Sequence, residues 1–111
     1  MAVDEDLANR VRELLQRESA LVEKRMFGGL AFLVHGNMAV VVRGSDGGLM
    51  ARVDPAESDE LRALPGVEAM VMRGKELAGW LVVDLSRLDR DADLKEWVDR
   101  GCAYARSLPA K

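Results

Sequence analysis

The stretch that most constrains this chain runs from Lys24 to Arg43, KRMFGGLAFLVHGNMAVVVR. Two apolar runs, Leu30 to Val34 and Met38 to Val42, flank Gly36-Asn37, and glycine at the first central position suits a type II′ turn whose twist matches that of paired strands. Neither run alternates with polar residues. At least part of such a hairpin should lie mid-sheet, under helices or against a second subunit. The rest of the chain is then read as cover for that surface.

With 111 residues, 49% of them apolar and 32% charged, the chain is long enough for one domain, residues 1–111, with a core that needs no disulfide or metal. Sixteen Lys and Arg against nineteen Asp and Glu leave a net charge of −3, so no global basic field is present to hold a phosphate backbone. The single Cys102 cannot close an internal disulfide. The acidic start, MAVDEDLANR, is unlike a signal peptide, and no apolar run approaches the ~20 residues of a membrane span. A cytoplasmic protein that makes no membrane contact is expected.

In chain order, Asp4 to Glu18 reads as a helix with Leu7, Val11, Leu14 and Leu15 on one stripe and Asp4 as its cap. Asp4-Glu5-Asp6 fits helix-start electrostatics better than metal binding, since adjacent carboxylates point apart on a helix. Leu21 to Phe27 reads as a strand. Gly28-Gly29 lacks the third glycine of a dinucleotide loop and the Gly-Lys-Ser/Thr ending of a phosphate loop, and a strand follows it, so it reads as a bend or bulge between strands. After the hairpin come a turn over Gly44-Ser45-Asp46-Gly47-Gly48 and a strand from Leu49 to Val53. Asp54-Pro55-Ala56-Glu57 has the pattern of a capping box and opens a short helix with Leu61 and Leu64 on its apolar edge, ending before Pro65-Gly66. Val67 to Met72 and Gly79 to Leu85 form a strand pair joined by a loop over Arg73-Gly74-Lys75-Glu76. Asp91 to Leu108 is a helix with Leu94, Trp97, Val98, Gly101, Cys102, Ala105 and Leu108 on one stripe. The order α, three or four strands, α, two strands, α predicts an α+β fold, a two-layer sandwich in which an antiparallel sheet of five or six strands is covered by helices.

The chemistry-bearing residues are few. Cys102 with His35 would make a nucleophile and base pair if the two met, but Cys102 lies on the buried stripe of a helix and nothing marks a third, orienting group. Two Cys and His residues in all are too few for a structural zinc site. No catalytic, cofactor or metal site is expected. Met26, Met38, Met50, Met70 and Met72 lie in or beside strands and read as flexible filler beneath helices, the alternative being an adaptable docking surface. Arg25, Arg43, Arg52, Arg73 and Lys75 sit at strand ends and turns, forming either a solvated rim or, if they share one edge, a basic interaction surface. Trp80, Trp97 and Tyr104 are the candidate lining of a small-ligand pocket between the sheet and the last helix.

The run Lys24-Arg25-Met26-Phe27-Gly28-Gly29, followed by Phe32, Gly36 and Met38, resembles the opening signature of the TfoX/Sxy N-terminal domain family. The Leu49 to Pro55 junction, Pro65-Gly66 and the Trp- and Ala-containing last helix fit the same family, from about Leu7 to Leu108. The resemblance implies a secretion-chaperone-like α/β fold and a part in regulating bacterial competence, the uptake of DNA, where its best-known members act beside a cyclic-AMP receptor protein. Full-length competence regulators carry a second, helical domain, so a stand-alone first domain is expected. Tyrosines common in the family's later strand are replaced here by Gly79-Trp80-Leu81-Val82-Val83. The function expected is a non-enzymatic regulatory or protein-interaction domain, as a homodimer, with a transcription factor or polymerase as partner and without direct DNA binding. The alternative is the small-ligand domain.

Overall fold

The structure, a computed structural model, describes residues 5–16, 18, 20–26, 29–44 and 48–109, the side chain of Met72 excepted. The expected cap Asp4, Phe27 and Gly28 of the double-glycine run, and Ser45, Asp46 and Gly47 of the following turn lie outside the described residues.

Helix α1 (Glu5–Leu14) is followed by strands β1 (Leu21–Met26), β2 (Gly29–Val34), β3 (Asn37–Val42) and β4 (Leu49–Arg52). A 3-10 turn at Pro55–Glu57 runs into the short α2 (Ser58–Arg62), and β5 (Val67–Met72), β6 (Lys75–Val83) and α3 (Asp91–Ser107) complete the chain. The six strands form one sheet in the order β1-β2-β3-β4-β6-β5, antiparallel throughout. This is the α+β fold that the order of elements predicts, with four strands before α2 and two after it.

All three helices lie on one face of the sheet: α3 on β2, β3 and β4, α1 against α3, and α2 on β5 and β6. Every residue of β2 is buried, as is nearly all of β3, as the unbroken apolar runs require. The main core joins Phe32, Val34, Val40, Val42, Leu49, Leu81 and Val83 of the sheet to Leu7 and Val11 of α1 and to Leu94, Trp97, Val98 and Cys102 of α3. Burying such side chains contributes about 1.5–3 kcal/mol each.

The hairpin turn differs from the expected one. His35 and Gly36, both at positive φ (53° and 83°), form it as a type I′ turn, and Asn37 is the first residue of β3, opposite Val34. The reason lies in α3. Asn37 is 1% exposed, and its Nδ2 donates to the carbonyls of Ala105 (3.4 Å) and Pro109 (3.0 Å), so it satisfies the end of the helix instead of capping a turn. Two residues further on the register slips: Leu33 opposes Met38 and Phe32 opposes Val40, leaving Ala39 as a bulge. The bulge turns both Ala39 and Val40 into the main core.

Four further boundaries move. The first helix stops at Leu14 and tightens into a turn, with Glu18 N–H donating to the Leu15 carbonyl at 3.0 Å. Asp54 does cap, accepting from Ala56 N–H at 2.9 Å, but it caps the 3-10 turn, and Glu57 returns no bond to complete a capping box. Leu64, expected on the apolar edge of α2, is 44% exposed because the helix has already ended. The β5–β6 connection is only Arg73-Gly74, again a pair at positive φ (54° and 79°), so Lys75 and Glu76 belong to β6.

Helix α3 approaches β3 through Gly101. A Cβ there would lie 2.5 Å from the Ala39 carbonyl oxygen and 2.9 Å from Val40 Cγ1. Gly101→Ala is expected to destabilise the fold by about 1–2 kcal/mol, the overpacking exceeding the ~1 kcal/mol that alanine contributes to a helix. Chemical denaturation compared with the parent measures this, and an unchanged midpoint would refute the close approach.

Candidate functional site

Two surfaces and one buried thiol are the chemical features to weigh. Cys102 faces the core from α3, and burial, with Glu18 adding to it, pushes its pKa up to about 11. The other charged groups acting on it are Arg106 and Asp99, and His35 is not among them. A buried thiol with a raised pKa packs as a small hydrophobe and is little populated as the nucleophilic thiolate near neutral pH. Among the described residues no group of three or more His, Cys, Asp or Glu is placed to hold a metal ion, and no helix is long and apolar enough to cross a membrane.

The five basic residues are divided. Arg25 lies on edge strand β1 and Arg43 follows β3, at the end of the sheet where β1 meets β2 and β3 meets β4. Arg73 and Lys75 form the exposed tip of the β5–β6 hairpin, at the opposite side of the sheet and towards the opposite end. Arg52 lies between aromatic rings, its guanidinium carbon 5.5 Å from the centroid of Trp80 and 5.4 Å from that of Tyr104, and it donates to the Met38 carbonyl at 3.4 Å. These are cation–π contacts of a partly buried residue. No single basic edge is built.

The three aromatic residues are also divided. Trp80 belongs to the sheet face away from the helices, Trp97 is 6% exposed in the main core with Arg100 stacked on it at 4.7 Å, and Tyr104 borders a cleft of about 290 Å³. That cleft lies between the 3-10 turn and α3, lined by Val53, Asp54, Glu57, Arg100, Ala103 and Ser107 beside Tyr104. A smaller one of about 120 Å³ borders Trp97. The structure therefore does not bring the three rings together in one pocket.

The surface that the sequence reading underrated is the second sheet face. Ala31, Leu33, Val41 and Met50 are buried there with no helix above them, sheltered by Met26, Met38, Met70, Trp80 and Val82. The methionines are thus not filler beneath helices: four of the five line the uncovered face. Strand alternation carries the signal, since Val22, Lys24 and Met26 of β1 share a face, as do Glu68 and Met70 of β5. Its meaning depends on knowing that all the helices take the other side.

An antiparallel α+β sheet with its helix layer on one face and an apolar second face left uncovered is the class of domain that these features define. The family model of the TfoX N-terminal domain matches residues 13–105, and the chain belongs to that family. A crystal structure of a protein from Pseudomonas syringae has a similar fold, with a TM-score of 0.64 and 11% identity over 88% of this chain and 97% of that one. No curated protein matches the chain.

The raised thiol pKa yields a prediction. At pH 8 only roughly a thousandth of the native Cys102 is thiolate, given its value of about 11. Labelling of the native protein by a disulfide reagent is expected to be slow at pH 8 and to become fast on denaturation. Because the folded value is raised, this contribution to stability is intact below the unfolded value of 9.0 and is lost as pH rises through about 11. Rapid labelling of folded protein at neutral pH would contradict the burial.

Proposed function

We propose that this chain is a non-enzymatic regulatory domain that acts by binding protein in the control of competence, with a transcription factor or a polymerase subunit as its partner. The observation that carries the reading is membership of the TfoX N-terminal domain family across residues 13–105. The burial of Cys102 and the upward shift of its pKa are consistent with that reading.

The surface that suits such a partner is the β5–β6 hairpin tip. Arg73, Gly74 and Lys75 are exposed, extend past the end of β4 and carry two positive charges on a chain whose net charge is −3. A basic tip of this size fits an acidic patch on a protein better than a nucleic-acid backbone, which needs several phosphate contacts spread over one face. The division of the five basic residues between opposite ends of the sheet supports the same choice. The protein is not expected to bind DNA directly.

The experiment is co-purification of the tagged chain with the cyclic-AMP receptor protein and with RNA polymerase, alongside a competence-promoter reporter. The parent is expected to retain one of the two and raise reporter output, and Arg73→Glu with Lys75→Glu to abolish both effects while leaving the fold unchanged by circular dichroism. If the parent neither retains these proteins nor moves the reporter, the regulatory reading is wrong.

A further inference from the structure

The uncovered face of the sheet is organised in transverse rows, and one of them runs unbroken through all six strands. Lys24 pairs with Ala31, Ala31 with Val41, Val41 with Met50, Met50 with Val82 and Val82 with Glu68. Residues directly opposite one another share a face. The row therefore reads cation, four apolar side chains, anion, over about 24 Å at a strand spacing of ~4.8 Å. Lys24 and Glu68 are both exposed, and among the described residues neither side chain has an ion-pair or hydrogen-bond partner. The charges flanking Lys24 along β1 point the other way: Glu23 is opposite Phe32 of the main core and accepts two bonds from Arg12 of α1, each at 2.9 Å.

We propose that this face is covered by a second copy of the same chain, the two sheets stacked about a two-fold axis that runs parallel to the strands between β3 and β4. That axis reverses the row. Lys24 of one copy falls over Glu68 of the other, twice by symmetry, while Ala31 meets Val82 and Val41 meets Met50, a smaller side chain over a larger one in each case. The neighbouring row follows, setting Leu33 over Trp80. An axis across the strands would instead place Lys24 on Lys24 and Glu68 on Glu68, so the signs of the charges select the first arrangement.

Arg52, the cation of the neighbouring row, does not oppose the stacking. Its guanidinium lies between the rings of Trp80 and Tyr104, and the helix that carries Tyr104 is on the far side of the sheet, which draws the charge toward the sheet end. The face spans about 24 Å by ~20 Å, roughly 500 Å² per copy, which puts the pair near the ~1,000 Å² total of the smallest specific interfaces. A weak dimer follows, with a dissociation constant on the order of micromolar. The proposal is independent of the regulatory reading, since the Arg73-Gly74 turn lies beyond the stacked rows.

Sedimentation equilibrium of the full chain, with Lys24→Glu, Glu68→Lys and the double exchange, tests it. Both positions are exposed, and circular dichroism confirms that each variant folds. The parent is expected to dimerise, and each single variant to do so roughly ten- to a hundred-fold more weakly, because both symmetric contacts become like-charged. An equimolar mixture of the two single variants is expected to associate as tightly as the parent, since both contacts of the mixed pair again join opposite charges. The double exchange should do the same. A parent that stays monomeric to about 500 micromolar overturns the proposal. So do single variants that dimerise undiminished, which would point to pairing through the β1 edge, or a mixture no tighter than its components.

Discussion

The close approach of α3 to β3 is the contact on which the rest of the structure depends. Gly101 lies over the carbonyl of Ala39 with no room for a side chain between them. The carbonyl is in that place because Ala39 is a bulge, and the bulge turns two successive residues of β3 into the core. Asn37 completes the fit from two residues earlier in β3, its Nδ2 donating to the Ala105 and Pro109 carbonyls. With α3 fixed there, α1 has a wall to pack on, and Arg10 secures it by donating to the Leu88 carbonyl at 2.7 Å and to Asp91 at 3.1 Å. Arg12 with Glu23 and Arg106 with Glu18 add exposed ties of small individual value. Apolar burial carries the energy, and the polar bonds determine where it is spent.

The two faces of the sheet are built from different materials. Beneath the helices the sheet side chains are mostly Val, Leu and Phe, with few rotamers, whose shapes can be matched closely. On the other face four methionines and Trp80 surround Ala31, Leu33 and Val41. Methionine is flexible and polarizable, so it shelters small neighbours when nothing is above it and repacks when something is. A face of that composition tolerates water without demanding it. It suits a surface that is covered part of the time, as a weak dimer would cover it.

Much of this architecture was legible in the sequence. The unbroken apolar runs of β2 and β3, the stripe on α3 and the Asp54-Pro55 start signal gave the elements and their order, because each follows from local pattern and burial. The hairpin turn was displaced by one residue since Gly36-Asn37 is a good turn dipeptide by itself, and only the carbonyls of Ala105 and Pro109, some seventy positions away, draw Asn37 into the strand. The methionines depart from expectation for a similar reason. Strand periodicity tells which residues share a face but not which face the helices choose. Trp80, Trp97 and Tyr104 have the right chemistry for a pocket, yet one lies on each side of the sheet and the third at its end. The Lys24 to Glu68 row is invisible until strand order is known, because β4 pairs with β6 and not with β5.

That crossover in strand order also separates the two surfaces by which the protein can make contacts. Placing β6 inside and β5 at the edge extends the β5–β6 hairpin past the end of β4, which pairs only with Trp80 to Val83 of β6. The basic tip consequently stands clear of the transverse rows. Its positive φ pair, Arg73 and Gly74, fixes the tip as a tight turn, which presents Arg73 and Lys75 on a short rigid support. Self-association through the uncovered face and partner binding through the tip would then use different atoms. A two-fold axis parallel to the strands leaves both tips of such a dimer at the same end, so one partner surface with two acidic sites would engage them together, at an effective concentration far above that of separate chains.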